Sequence, residues 1–150
     1  MLDTRFIGHA MAPFEVDVEA SRLRFFARAT GQTDPVYLDD AAARAAGHRA
    51  LPVPPTFLFC LEMAAPDPEA IRKLLGLEVA RVLHGEQHFA YHAIACAGDR
   101  LRFGQRIVDL YARKGGRGGR LDFVVRETRV DDMHGTHVAD LRCIMVARHG

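Results

Sequence analysis

Four groups of residues in this 150-residue chain have the types and spacing that chemistry needs. The first is Gly31-Gln32-Thr33-Asp34-Pro35-Val36-Tyr37, which gathers an amide, a carboxylate and a phenol in one polar run. Proton transfer at carbon needs an acid and a base at one place, and such a run could supply them. Asp34 precedes a proline, however, and an Asp there commonly bonds its own backbone as a turn former. The second group is His84, Glu86, His88 and His92. A spacing of four would allow the histidines to chelate on a helix, but on a strand each step covers about 13 Å, too far for a shared ion. The third, Asp131, Asp132, His134 and His137, is denser and falls in a turn, where solvated side chains are the plain reading. No metal is expected at either place. The fourth is Arg113-Lys114-Gly115-Gly116-Arg117-Gly118-Gly119-Arg120. It is not a P-loop, because no Gly-Lys-Ser/Thr and no helix follow. A solvated hairpin tip and a cationic patch for phosphates both fit it. Asp34 and Glu86 are the two carboxylates retained as weak catalytic candidates.

The bulk of the chain restricts what surrounds these groups. Hydrophobic residues make up 49% and charged residues 26%, with a net charge of +1. One core of ordinary domain size fits this length, so residues 1–150 are expected to be a single domain. A near-neutral balance gives no reason to expect nucleic acid or an anionic membrane as partner. No apolar run approaches the roughly 20 residues that span a bilayer. Met1 to Glu15 lacks the charged-then-apolar order of a signal peptide, so a cytoplasmic location is expected. Cys60, Cys96 and Cys143 are odd in number, widely spaced and set among apolar neighbours, as buried free thiols are.

The elements follow from periodicity. Phe14, Val16 and Val18 alternate with acids and predict a strand. Leu23, Phe26 and Ala27 recur at helical spacing, with Gly31 as the stop. Asp39 or Asp40 caps a small helix over residues 41–46, ended by Gly47. Pro54 and Pro55 can open a helix, since its first N–H groups lack partners anyway. The run from Phe57 to Met63 then predicts a buried helix over residues 55–64. Asp67-Pro68-Glu69 starts another over residues 68–75. From residue 82 onward the pattern is of strands. In residues 82–93, Val82, His84, Glu86, His88, Ala90 and His92 fall on one face and Leu83, Gln87, Phe89 and Tyr91 on the other, with Gly85 as a bulge. Leu101, Phe103, Ile107 and Tyr111 mark the next strand, and Leu121, Phe123 and Val125 alternate with charge in a third. Val138 to Arg148 is the last. About five antiparallel strands and one apolar helix bury both only if the sheet curls around the helix. That leaves an open sheet edge, so a dimer is expected.

These segments resemble the MaoC-like dehydratase and (R)-specific enoyl-thioester hydratase family, in particular its N-terminal-type, non-catalytic-half hot-dog domains. The resemblance rests on Phe26-Ala27-x-Ala29-x-Gly31-x-x-Asp34-Pro35-x-Tyr37, Ala43-Arg44-Ala45-Ala46-Gly47, Val53-Pro54-Pro55-Thr56-Phe57, Leu83-His84-Gly85-Glu86-Gln87-x-Phe89-x-Tyr91-His92 and Gly98-Asp99-x-Leu101. It implies an α+β hot-dog fold, with an antiparallel sheet of about five strands around a central buried helix. Active members carry Gly-Asp-x-Asn-Pro-x-His in the loop after the first helix, and that Asp and His handle the water and the proton at C2. Aligned on Gly31 and Pro35, this chain has Gln32 at the Asp position, Asp34 at the Asn position and Tyr37 at the His position. An amide is no base, and a phenol ordinarily titrates near pH 10. Active members also polarise the thioester carbonyl with a backbone N–H at the start of the central helix, where this chain has Pro54 and Pro55, which have none.

Three functions fit these residues. The chain can be a hydratase or dehydratase subunit that binds the acyl chain while a second hot-dog subunit brings the Asp and His. It can be a self-sufficient homodimeric hot-dog thioesterase using Asp34 or Glu86. It can also be a non-enzymatic acyl-thioester binding module. In each, the ligand is an acyl thioester of coenzyme A or of acyl carrier protein (acyl-CoA or acyl-ACP), with no separate cofactor. The resemblance places Gln32, Asp34, Tyr37, Pro54, Thr56, Phe57 and Leu61 beside it.

Overall fold

The computed structural model describes residues 2–115 and 119–149, the last of these by its backbone only. Residues 116–118, the middle of the glycine-rich run, lie outside the described residues. Four short helices, α1 (Ala20–Ala29), α2 (Asp40–Ala45), α3 (Phe57–Glu62) and α4 (Ala70–Leu74), are followed by four strands, β2 (Val82–Tyr91), β3 (Arg100–Lys114), β4 (Arg120–Asp132) and β5 (His137–His149). A short first strand, β1 (Phe14–Asp17), precedes the helices. All pairings are antiparallel and the order is β1-β3-β4-β5-β2, so β1 and β2 are the sheet edges.

Phe57, Leu58 and Leu61 of α3 are buried in one cluster with Leu101, Phe103, Val130 and Leu141 of the sheet. This is the hot-dog arrangement, an α+β fold. A second cluster joins Ile71 and Leu77, at and beyond α4, to Ile107, Leu110, Val124 and Ala147. No helix among the described residues is long and apolar enough to cross a membrane.

The helix stops are those the glycines predict. Gly31 has φ +72°, and Gln32 N donates back to the Ala27 carbonyl at 2.8 Å. Asp39 caps α2 by accepting from Ala42 N at 2.9 Å. The central helix is shorter than residues 55–64. Consecutive prolines force extended backbone before each of them, and the chain turns into the helix only at Thr56, which has φ 71°. Nor is α3 covered on every side: Phe59 and Cys60 are half-buried and Met63 is exposed.

Bulges rearrange the predicted strand faces. Gly85 is bulged between His84 and Glu86, as expected, and a Cβ there would meet the Ile144 carbonyl oxygen and Val146 Cγ2 at 3.0 Å. The bulge reverses the alternation, however. His84 pairs with Met145 and Glu86 with the adjacent Ile144, so His84 does not share a face with Glu86 and His88; its exposed ring lies 5.2 Å from that of Phe59. A second shift between Ile107 and Asp109 puts Leu110 in the core and Tyr111 on the opposite face, stacked on Phe123 at 4.7 Å. In β4 the row that includes Asp122, Val124, Arg126, Thr128 and Val130 is buried, while Leu121 and Phe123 are half-buried.

Candidate functional site

A cavity of about 170 Å³ opens where the loop after α1, the proline segment and the end of β2 converge on the first turn of α3. Tyr37, His48, Pro55, Leu58, Tyr91 and Ile94 are among its lining residues. Its walls are thus largely apolar, with two phenols and one imidazole as polar groups, the composition of a small-molecule site.

The polar loop is built to present Tyr37. Gln32 Oε1 accepts from Asp34 N at 3.1 Å, and Asp34 Oδ1 accepts from Val36 N at 3.0 Å. That second bond caps the 3-10 turn Pro35–Tyr37. Gln32 and Asp34 therefore bond the loop's own backbone and do not line the cavity; only Tyr37 of the three does. His48, which the sequence reading passed over, is aimed by the end of α2. Gly47 adopts φ +91°, and His48 N donates to the Ala43 carbonyl at 3.0 Å. This glycine stop followed at once by a histidine was a visible signal.

At the start of α3, Pro54 and Pro55 offer no N–H, and the next one, on Thr56, donates to Tyr91 Oη at 2.8 Å. The left-handed backbone of Thr56 costs roughly 1–2 kcal/mol for a residue with a Cβ, strain of the kind that gathers at ligand sites. Phe57 packs its ring 5.0 Å from that of Phe26, under the Arg22 guanidinium, and Leu61 is fully buried. Both are core residues and neither lines the cavity, nor do Pro54 and Thr56; their neighbours Pro55 and Leu58 do. Glu86 is exposed on the outer face of β2, 3.0 Å from His88 Nε2, and does not line the cavity.

The far end of α3 holds a polar group that the sequence reading missed inside an apolar run. Glu62 is 2% exposed and its partner Arg126 6%. Arg126 Nη2 donates to Glu62 Oε2 at 2.7 Å, Gln105 Nε2 donates to Oε1 at 3.1 Å, and Thr128 Oγ1 donates to Oε1 as well. The carboxylate is satisfied on both oxygens and ties α3 to β3 and β4. Cys143 faces this network; burial pushes its thiol up, against a weaker pull down from Arg126. Burial also raises the Cys60 and Cys96 thiols. None of the three is poised as a nucleophile.

Arg113, Lys114 and Arg120 line a separate, larger groove of about 520 Å³ near the β3–β4 hairpin. Arg113 lies over the rings of Tyr111 and Phe123, and Arg120 Nε donates to Asp122 Oδ1 at 2.6 Å.

A five-stranded hot-dog sheet, with a glycine-led polar loop facing the start of the buried helix, is the architecture of the MaoC-like dehydratases and (R)-hydratases. The chain belongs to the family described as the FAS1-like dehydratase domain region, whose model it matches over residues 5–141. It is 36% identical over 148 residues to a UPF0336 protein of Saccharopolyspora erythraea, covering 98% of this chain and 92% of that one. Among solved structures it is similar to a chain of the C-terminally truncated HadBC (3R-hydroxyacyl-ACP dehydratase) complex of Mycobacterium tuberculosis. The TM-score there is 0.79 at 24% identity, over 95% of this chain and 97% of that one. A MaoC-like dehydratase matches with a TM-score of 0.82 at 24% identity, over 96% of this chain and 42% of the other. At such identities the two structures speak for the fold.

Proposed function

We propose that this chain is the acyl-binding subunit of a 3-hydroxyacyl-thioester dehydratase, or in reverse an enoyl-thioester hydratase, and that a second hot-dog subunit supplies the Asp and His. One observation carries this: the loop that faces the cavity holds Gln32 and Tyr37 where active members hold the acid–base pair, and the Gln32 amide is already bonded within the loop. The frame for binding is kept while the proton-transfer groups are replaced. The thioester end of an acyl-CoA or acyl-ACP would lie by Tyr37 and Thr56, with the chain directed over Pro55 and Leu58. In this reading no cofactor is needed. HadBC is described as a complex with 3R-hydroxyacyl-ACP dehydratase activity, which favours a two-subunit arrangement.

The test is hydration of crotonyl and longer enoyl thioesters by the purified chain, alone and mixed with a hot-dog subunit that carries Gly-Asp-x-Asn-Pro-x-His. One general acid or base is worth roughly 10² to 10⁴ in rate, so the chain alone is expected to be nearly inactive and the mixture active. Fast hydration by the chain alone would sink the proposal. One observation favours that second outcome, since His48 lines the same cavity as Tyr37 and is, among the described residues, the imidazole in its lining. Loss of solitary activity in His48→Ala would then assign it.

A further inference from the structure

Beside the cavity, the end of β2 and the start of β5 bring three ligand-type side chains together. His92 Nε2 lies 2.9 Å from Asp140 Oδ2, and His137 Nε2 lies 3.0 Å from Asp140 Oδ1. The two imidazole centres are 4.2 Å apart. One donor atom from each residue falls within 4.8 Å of the other two.

The fold makes this arrangement from an unpromising sequence. Residues three apart on a regular strand point to opposite faces. Opposite β4, however, the register shifts so that His137 pairs with Asp131 and Ala139 with Val130, which bulges Val138 and turns His137 to the face of Asp140. His92 arrives from β2, its N–H donating to the Val138 carbonyl at 2.9 Å. All three side chains are partly open to solvent.

We propose that His92, His137 and Asp140 form a binding site for a divalent transition-metal ion of the zinc class. Two imidazoles and one carboxylate are ligands that zinc takes at 2.0–2.2 Å, and a tetrahedral ion holds neighbouring ligand atoms about 3.3–3.5 Å apart. The two His–Asp distances run to different oxygens of Asp140, and one donor atom from each residue lies within 4.8 Å of the others, so side-chain rotations would close the set to that spacing. The ion would take the place of the two His–Asp contacts, and water would fill the fourth position from the open side. Imidazole ligands disfavour magnesium and calcium, which prefer oxygen. Arg129, across from Asp140 on β4, is the nearby cation that could compete, and its Nε is turned onto Asp131 Oδ2 at 2.9 Å. A bound ion would staple the end of edge strand β2 to β5. Ala93, Ile94 and Val138, which flank the ligands in sequence, line the cavity, so the staple would stiffen its wall. The metal proposal does not depend on the acyl-binding reading.

The test uses tag-free chain stripped with chelator, titrated with zinc chloride by calorimetry and followed by thermal unfolding. One zinc per chain and a raised Tm are expected. His92→Gln and Asp140→Asn, both at side chains partly open to solvent, should keep the wild-type circular dichroism. Each should lower zinc affinity by at least the roughly 10–100-fold seen for lost outer-shell partners. Cobalt in place of zinc should give visible d–d bands without a thiolate charge-transfer band, and Cys60→Ser should bind as wild type. No saturable zinc binding overturns the proposal and leaves a hydrogen-bonded clip. Equal binding by wild type and both variants, or a thiolate band with cobalt, overturns it in favour of another site.

Discussion

Glu62 and Arg126 leave water together, and what matters is that neither can leave alone. Removing one partner of a buried pair strands the other charge, at a cost of roughly 3–5 kcal/mol, whereas replacing both with apolar residues is often neutral. Glu62→Ala should therefore destabilise the chain by about that amount in urea unfolding, and Glu62→Leu with Arg126→Met by much less. Equal losses in the single and double variants would show that packing, not charge, sets the cost. Thiol accessibility offers a second check at this scale. Cys96 and Cys143 are buried and Cys60 is half-buried, all with burial holding the thiol protonated. A thiol reagent at neutral pH should modify Cys60 first and the other two at the rate of unfolding; rapid reaction of all three would contradict this packing. Of the residues that the resemblance places beside the ligand, Tyr37 alone lines the cavity. The exchanges at positions 32 and 37 were legible because an amide and a phenol differ in chemistry from a carboxylate and an imidazole. Glu62 and Arg126 were not, because each looks like a surface residue until the other is seen opposite it. His92, His137 and Asp140 were hidden for the same reason: sequence spacing measures neither a bulge nor a neighbouring strand.

At the scale of elements, helix ends were legible and strand faces were not. A glycine stop or an Asp cap acts within four residues, so Gly31, Asp39 and Gly47 fix their turns locally. A bulge, by contrast, changes the face of every residue beyond it. Gly85 gave itself away by lacking a side chain; the shift after Ile107 falls among ordinary residues and left no mark. Two substitutions test the elements that shape the cavity. At Thr56 a glycine accepts φ 71° without penalty. Thr56→Gly should raise stability by up to about 1 kcal/mol, the low end of the cost of left-handed backbone. It should keep the N–H that Tyr91 accepts. At Gly85 any Cβ meets the Ile144 carbonyl oxygen at 3.0 Å. Gly85→Val should destabilise by roughly 1–3 kcal/mol through overpacking, read as a lower urea midpoint. No change in midpoint would mean that the bulge is loose enough to move.

Among the described residues the sheet has two open edges, and they differ in length. β1 offers four residues as an edge, but β2 offers ten, Val82–Tyr91, with backbone groups on one side unpaired by any described strand. Such an edge invites another strand. Along it stand Leu83, 53% exposed, Tyr91, 49%, and just beyond its end Ile94, 63%. The outward side of α3 adds half-buried Phe59, whose ring touches His84 of the same strand, and exposed Met63. Open backbone and a line of apolar side chains on one border are what a second hot-dog chain would cover, continuing the sheet through β2 and placing its own loop near this cavity. Light scattering after size exclusion should therefore give twice the chain mass for the purified protein, or a one-to-one complex when the catalytic subunit is present. Leu83→Asp with Ile94→Asp puts charge at both ends of the border without touching the core clusters. This pair should lower the mass to that of one chain while circular dichroism stays as in wild type, and should abolish the activity gained by mixing. A mass of one chain for the unaltered protein at micromolar concentration, with or without the catalytic subunit, would mean that the edge stays open and that both residues of the acid–base pair must be sought within this chain.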